Sequence, residues 1–235
     1  MTLVLLASRC EAQSFYYGIT LGGDIGNESD GVRSFEYANT WFYDQHKIGP
    51  GDSRGTKAGL IGGFSFDYKL TNTFVLSGSA LFDQKGVSLS YIYTTESSPT
   101  PISTTTEDIT LDYLEIPLLV KWQPFAEEAG AFLFAGPSVG FLLSGKSQLS
   151  LHVANESNIA ISLTQKKQPS VSAVAGIGFG FDLASKLRCE IRAAYAWGLT
   201  NDSFSEPANE PSYRDPVYSA TASDIRLTAT VLFPY

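Results

Sequence analysis

Four stretches of the chain alternate apolar and polar side chains with a period of two. In residues 171–183 one face carries Val171, Ala173, Ala175, Ile177, Phe179, Phe181 and Leu183, and the other Ser172, Val174, Gly176, Gly178, Gly180 and Asp182. In residues 187–199 Leu187, Cys189, Ile191, Ala193, Tyr195, Trp197 and Leu199 oppose Arg188, Glu190, Arg192, Ala194, Ala196 and Gly198. Residues 57–70 and 224–235 repeat the pattern, with Leu60, Phe64, Phe66 and Ile225, Leu227, Val231 on one face and Ser65, Asp67 and Arg226, Thr230 on the other. Successive side chains of a strand point to opposite faces, so these are half-buried strands of ten or more residues. Reading the rest of the chain in the same way predicts eight strands near 15–25, 57–70, 73–88, 109–122, 131–143, 169–183, 187–199 and 221–235. Their connections alternate between short (71–72, 123–130, 184–186) and long (26–56, 89–108, 144–168, 200–220), the plan of an up-and-down barrel.

Alternation does not say which face is inside. A soluble barrel fills its interior with apolar side chains, whereas a barrel in lipid turns them outward. The polar faces here are rich in Gly, Ala, Ser and Thr, which suit a cramped lumen better than a wetted exterior. Aromatics cluster near predicted strand ends (Phe15, Tyr17, Tyr68, Trp122, Tyr195, Trp197, Phe233, Tyr235), as at a membrane interface. No apolar run beyond the first residues approaches the roughly 18 needed for a membrane helix, and the remaining way to cross a bilayer is a closed barrel. The expected fold is therefore all-β: an eight-stranded antiparallel up-and-down transmembrane β-barrel, with outer-membrane lipid against its apolar face.

Composition agrees. The chain has 235 residues with 21 Gly, 15 Phe and 12 Tyr, which favours strands and turns in a single all-β unit. Residues 1–13 read as an export signal, with "LVLLA" as the apolar core and a cut near Ala12 or Gln13, leaving 14–235 as one barrel domain. Cys189 is then the single cysteine of that domain, so no disulfide forms within it. A formal charge of −8 argues against nucleic acid as a partner, because phosphates demand a basic face. The Ser/Thr/Pro-rich stretch 94–108, "TTESSPTPISTTTED", reads as a mobile external loop.

Candidate chemistry is thin. Gly136, Ser138 and Gly140 spell G-x-S-x-G, which marks a nucleophile only on a strand-to-helix turn with an acid and then a histidine following. The histidines are His46 and His152, no acid lies between Ser138 and His152, and the segment "AFLFAGPSVGFLLS" reads as one strand. The glycines of "GIGFGFD" (176–182) likewise sit in an alternating strand with no helix to follow, against a phosphate loop. Asp44, His46, Asp52 and Ser53 read as part of a solvated loop. No catalytic residue, cofactor or metal is expected. Two features do predict structure. Pro117 and Pro137 fall at nearly the same height on neighbouring strands, and neither can donate to a ladder, so a bulge or missing bonds are expected at 115–119 and 135–138. Glu115, Arg188, Glu190, Arg192, Asp224 and Arg226 all face inward by parity, and an isolated charge there is costly. They predict a paired lumen network in which Glu115 reaches Arg226 or Arg192, with Glu190 and Asp224 balancing the remaining guanidinium groups.

The segment "DYLEIPLLVKW" (112–122) followed by "FLFAGPSVGFLLSG" (132–145) resembles the PorT-like outer-membrane β-barrel family of Bacteroidota and related bacteria, where a Y-L-E-I-P-L strand precedes a glycine-rich one. The resemblance implies an integral barrel of structural, assembly or secretion-associated role, with an envelope or secretion-system protein as partner. The alternative is a small transporter or a lipid-modifying barrel enzyme.

Overall fold

The computed structural model describes residues 15–27, 53–95, 98–124, 129–152, 157–165, 169–184, 187–200, 202–205, 217–220 and 223–235. The strands are β1 (Phe15–Asn27), β2 (Ser53–Thr56), β3 (Ala58–Lys69), β4 (Phe74–Thr95), β5 (Ser98–Trp122), β6 (Ala129–His152), β7 (Ser157–Gln165), β8 (Ser170–Ala184), β9 (Leu187–Gly198), β10 (Asp202–Ser205), β11 (Val217–Ala220) and β12 (Ser223–Pro234). Eight of them, β1, β3, β4, β5, β6, β8, β9 and β12, pair antiparallel in that order, and β1 closes the ring on β12 from Tyr16↔Pro234 to Asn27↔Ser223. The fold is the closed eight-stranded barrel that the alternation predicts.

Burial follows parity. In β12, Asp224, Arg226 and Thr230 are buried, while Ile225 and Leu227 are 60% and 62% exposed. In β5, Tyr113, Glu115, Leu119 and Lys121 point inward, while Ile116, Leu118, Val120 and Trp122 form the outer wall. On the outside of β4, β5 and β6 the apolar wall stops at a polar trio. Gln84 Nε2 donates to Asp112 Oδ1 at 2.9 Å, and Ser144 Oγ to Asp112 Oδ2 at 2.5 Å. From Phe74 to Phe82 on β4 and Leu114 to Trp122 on β5 the wall is nine residues long, the span a tilted strand needs to cross hydrocarbon.

Three strands continue past that trio. β4 pairs with β5 as far as Thr95↔Ser98, and β6 runs on to His152. Because β8 covers β6 only over 129–140, the remainder of β6 takes β7 as its partner over 145–151, with β10 and β11 following. The stretch 98–108 is therefore strand, where the sequence had suggested a loop. Its threonines are β-branched and suit extended backbone, and the ladder to β4 and β6 supplies the order that composition alone does not.

The prolines act on one side each. On the β4 side of β5 the pairing lapses between Gly78↔Leu118 and Leu81↔Glu115, leaving Pro117 without a partner there. Between β5 and β6 it lapses from Pro117↔Ser138 to Val120↔Ala135, leaving Pro137 without one. Register is unchanged across both gaps, so missing bonds absorb the prolines without a bulge. The bulge lies further along, where Asp112↔Ser144 gives way to Tyr113↔Leu142 and Leu143 becomes the extra residue.

Candidate functional site

The inward positions of β4, β5 and β12 converge on one charged cluster. Glu115 accepts a two-pronged contact from Arg226, with Nη1 to Oε2 at 2.6 Å and Nη2 to Oε1 at 3.0 Å. This is the parallel geometry that the planar guanidinium favours. Arg226 also holds Asp224 two residues back on its own strand, at 2.5 and 3.0 Å. Lys85 Nζ completes the group, 2.7 Å from Glu115, 3.0 Å from Asp224 and 3.7 Å from Asp83, while Asp83 lies 3.2 Å from Arg226. Asp24 sits beside this cluster, against Gly59, and neither of its buried carboxylate oxygens has a hydrogen-bond partner among the described residues.

A second cluster lies nearer the short-turn end. Lys121, wholly buried, reaches Asp67 at 2.5 Å and Glu190 at 2.8 Å, with its ammonium 5.3 Å from the centre of the Phe132 ring. Arg192 donates twice to Glu190 Oε2, at 3.0 and 2.7 Å. Arg188 is held loosely, 3.4 Å from Glu190 and 3.5 Å from Asp182. Between the two clusters runs a hydroxyl chain, Ser79 to Ser65 to Thr20 to Thr230, at 2.7, 2.6 and 2.8 Å. From β5, β6, β8 and β9, Leu119, Phe132, Phe134, Val174 and Ala196 pack together as an apolar cluster. The Phe132 and Phe134 rings lie against Gly178 and Gly176, where an added Cβ would overlap them, so these glycines make room for the aromatic filling.

The six charges anticipated from the sequence thus divide between two sites. Glu115, Asp224 and Arg226 meet in the first, and Arg188, Glu190 and Arg192 in the second, so Arg192 answers Glu190 and not Glu115. Sequence reasoning left out Asp24, Asp67, Asp83, Lys85 and Lys121. Parity could have found them: Lys121 lies six residues beyond Glu115, and Asp83 and Lys85 continue the inward set Val75, Ser77 and Ser79. Ser138 stands mid-strand opposite Pro117 and Ser172, and its Oγ donates to Glu115 at 3.3 Å, which makes it a lumen side chain. Of the loop group, Asp44, His46 and Asp52 lie outside the described residues. Among the described residues no three acid, histidine or cysteine side chains are placed to hold a metal.

A family model described as outer membrane protein beta-barrel domain matches residues 11–203. The chain belongs to that family. Among solved structures this outer-membrane barrel is similar to OprG from Pseudomonas aeruginosa (TM-score 0.47, 12% identity, 95% of this chain and 96% of that one). It is also similar to Neisserial surface protein A (0.43, 11%, 94% and 97%) and Escherichia coli outer membrane protein W (0.36, 11%, 93% and 98%). No curated protein sequence matches it. The protein is an integral component of the outer membrane, so the apolar wall faces lipid. The end with short turns takes the periplasmic side of such barrels, and the elongated β4, β5 and β6 take the external side. An Arg in place of Ile177, a wall residue 61% exposed, is expected to lower stability by about 2–4 kcal/mol if the site is at mid-bilayer. Urea unfolding in lipid vesicles measures this.

Proposed function

We propose that this protein is a closed, non-conducting barrel with a structural or assembly role, whose external sheet meets an envelope or secretion-system protein. The observation that carries this reading is the filling of the lumen. Two ion-pair clusters and an aromatic group occupy an interior that eight strands already leave only wide enough for side chains. Buried pairs of this kind hold a fixed cross-section and give a permeating solute little to exchange with. The Y-L-E-I-P-L and glycine-rich strand pair supports the PorT-like form of the role. The sheet that β4, β5, β6, β7, β10 and β11 form beyond the polar trio supplies a surface for contact.

In planar bilayers the purified barrel is expected to give no stepwise conductance at moderate voltage. Steady single-channel steps would overturn the proposal in favour of a small transporter. Release of fatty acid from outer-membrane phospholipid would favour the lipid-modifying reading. If both assays are silent, affinity capture from the native envelope, repeated with the tip of the β4–β5 hairpin shortened, is expected to lose the partner with the shortened form.

A further inference from the structure

The charged cluster of β1, β4, β5 and β12 holds more acid than base. Asp24, Asp83, Glu115 and Asp224 share two cations, Lys85 and Arg226, and all six residues are at most 6% exposed. Three of the acids are claimed. Glu115 and Asp224 each contact both Lys85 and Arg226, and Asp83 lies within ion-pair distance of both. Asp24 has neither an ion pair nor a hydrogen bond to its carboxylate among the described residues. Arg226 is its register partner on β12, yet the guanidinium turns to Glu115 and Asp224. Along β5 the inward residues past Glu115 are Tyr113, Leu111 and Ile109, buried in their turn.

What Asp24 does meet is a second acceptor. Its Oδ1 and the backbone carbonyl oxygen of Gln84 both crowd the point where a Cβ on Gly59 would stand, so the glycine lets two oxygens adjoin. Two bare acceptors repel, and a carboxylate without a partner is costly in so closed a place. A hydrogen between them removes both costs. We propose that Asp24 is a proton-binding group, its carboxyl keeping a proton in mildly acid solution, where an exposed aspartate has released it, and donating it to the Gln84 carbonyl. The groups around it decide what release would do. Among the described side chains, β12 presents Arg226 and Asp224, β4 presents Asp83 and Lys85, and β5 presents Glu115 and Tyr113, while β3 offers Gly59 and Ile61, with Lys57 turned away to Thr110. Release would set a fourth carboxylate against two cations already engaged. Because Asp24 stands opposite Arg226 where β1 closes on β12, the proton acts as a latch on the seam.

Infrared spectra of the full barrel in neutral detergent at about pH 5, where an exposed aspartate is ionised, test this directly. A C=O band of neutral carboxyl is expected. Asp24→Asn, whose amide donates to the same Gln84 oxygen, is expected to remove a component of that band which Asp83→Asn leaves in place, with unboiled gel migration confirming that both variants fold. Urea unfolding gives a second reading. A folded state that holds a proton the unfolded chain has released loses stability as pH rises. The unfolding equilibrium constant, relative to that of Asp24→Asn, is therefore expected to rise about tenfold per pH unit over the range in which the folded state alone keeps the proton. A band that Asp24→Asn leaves whole, or the same pH dependence with and without Asp24, would overturn the proposal. So would the absence of any neutral-carboxyl band from the unchanged protein, an outcome that needs no variant to fold.

Discussion

The Arg226→Met barrel is expected to lose about 3–5 kcal/mol of stability in urea, as buried pairs do when one partner is removed. The reason lies in what remains. Glu115, Asp83 and Asp224 would be left facing Lys85 as their single close cation, inside a lumen where they have almost no contact with solvent. Adding Glu115→Gln to the same chain removes one of the three carboxylates, so the double variant is expected to be more stable than Arg226→Met alone. Glu115→Gln by itself leaves Lys85 and Arg226 with Asp83 and Asp224 and is expected to cost less. Small, additive losses in this cycle would mean that lumen water already screens these charges and that the Glu115–Arg226 fork contributes little.

Lys121→Met is the second large effect, expected at about 3–5 kcal/mol by the same mechanism. Lys121 is the one ion-pair partner of Asp67 among the described residues, and Glu190 would fall back on Arg192 and a distant Arg188. Methionine keeps the stem packed near Phe132, so the loss isolates the charge from the volume. Lys121→Met with Asp67→Asn is expected to recover part of it, because the orphaned carboxylate is replaced by a neutral amide. Thermal unfolding of both variants beside the unchanged protein in one detergent, read by tryptophan fluorescence, measures the recovery. No recovery would indicate that Lys121 acts by filling space.

The barrel was legible in the sequence because lipid outside and a narrow polar lumen inside impose opposite demands on neighbouring residues. Ile225 beside Arg226, or Glu190 beside Ile191, leaves little doubt about period or face. Less legible was where the strands stop. Beyond Gln84, Asp112 and Ser144 the outer face no longer needs to be apolar, so the lipid signal vanishes while the hydrogen-bond ladder continues, and the stretch 98–108 looked like loop. The pairings in the lumen were harder still. That Glu115 and Arg226 share a height depends on the register of every strand between β5 and β12, and a residue's own sequence carries no record of it. Lys121 escaped notice for a different reason, since a lysine at a strand end beside Trp122 is equally at home in a membrane interface. Proline was the most local signal: Pro117 and Pro137 removed the bonds that their missing N–H groups would have donated, but the bulge went to Leu143.

The seam between β1 and β12 also bears on how the molecule is completed. The two strands whose pairing removes the free edges come from opposite ends of the sequence, with Tyr17 meeting Phe233 and Ile19 meeting Val231. Until the final twelve-residue strand has emerged and found its partner, the rest is an open ribbon with two unsatisfied borders in a medium that offers backbone groups no water. Contacts this distant in sequence are slow to form. The seam is thus among the slowest pairings to form, and until it does β1 and β12 remain edges open to other ribbons.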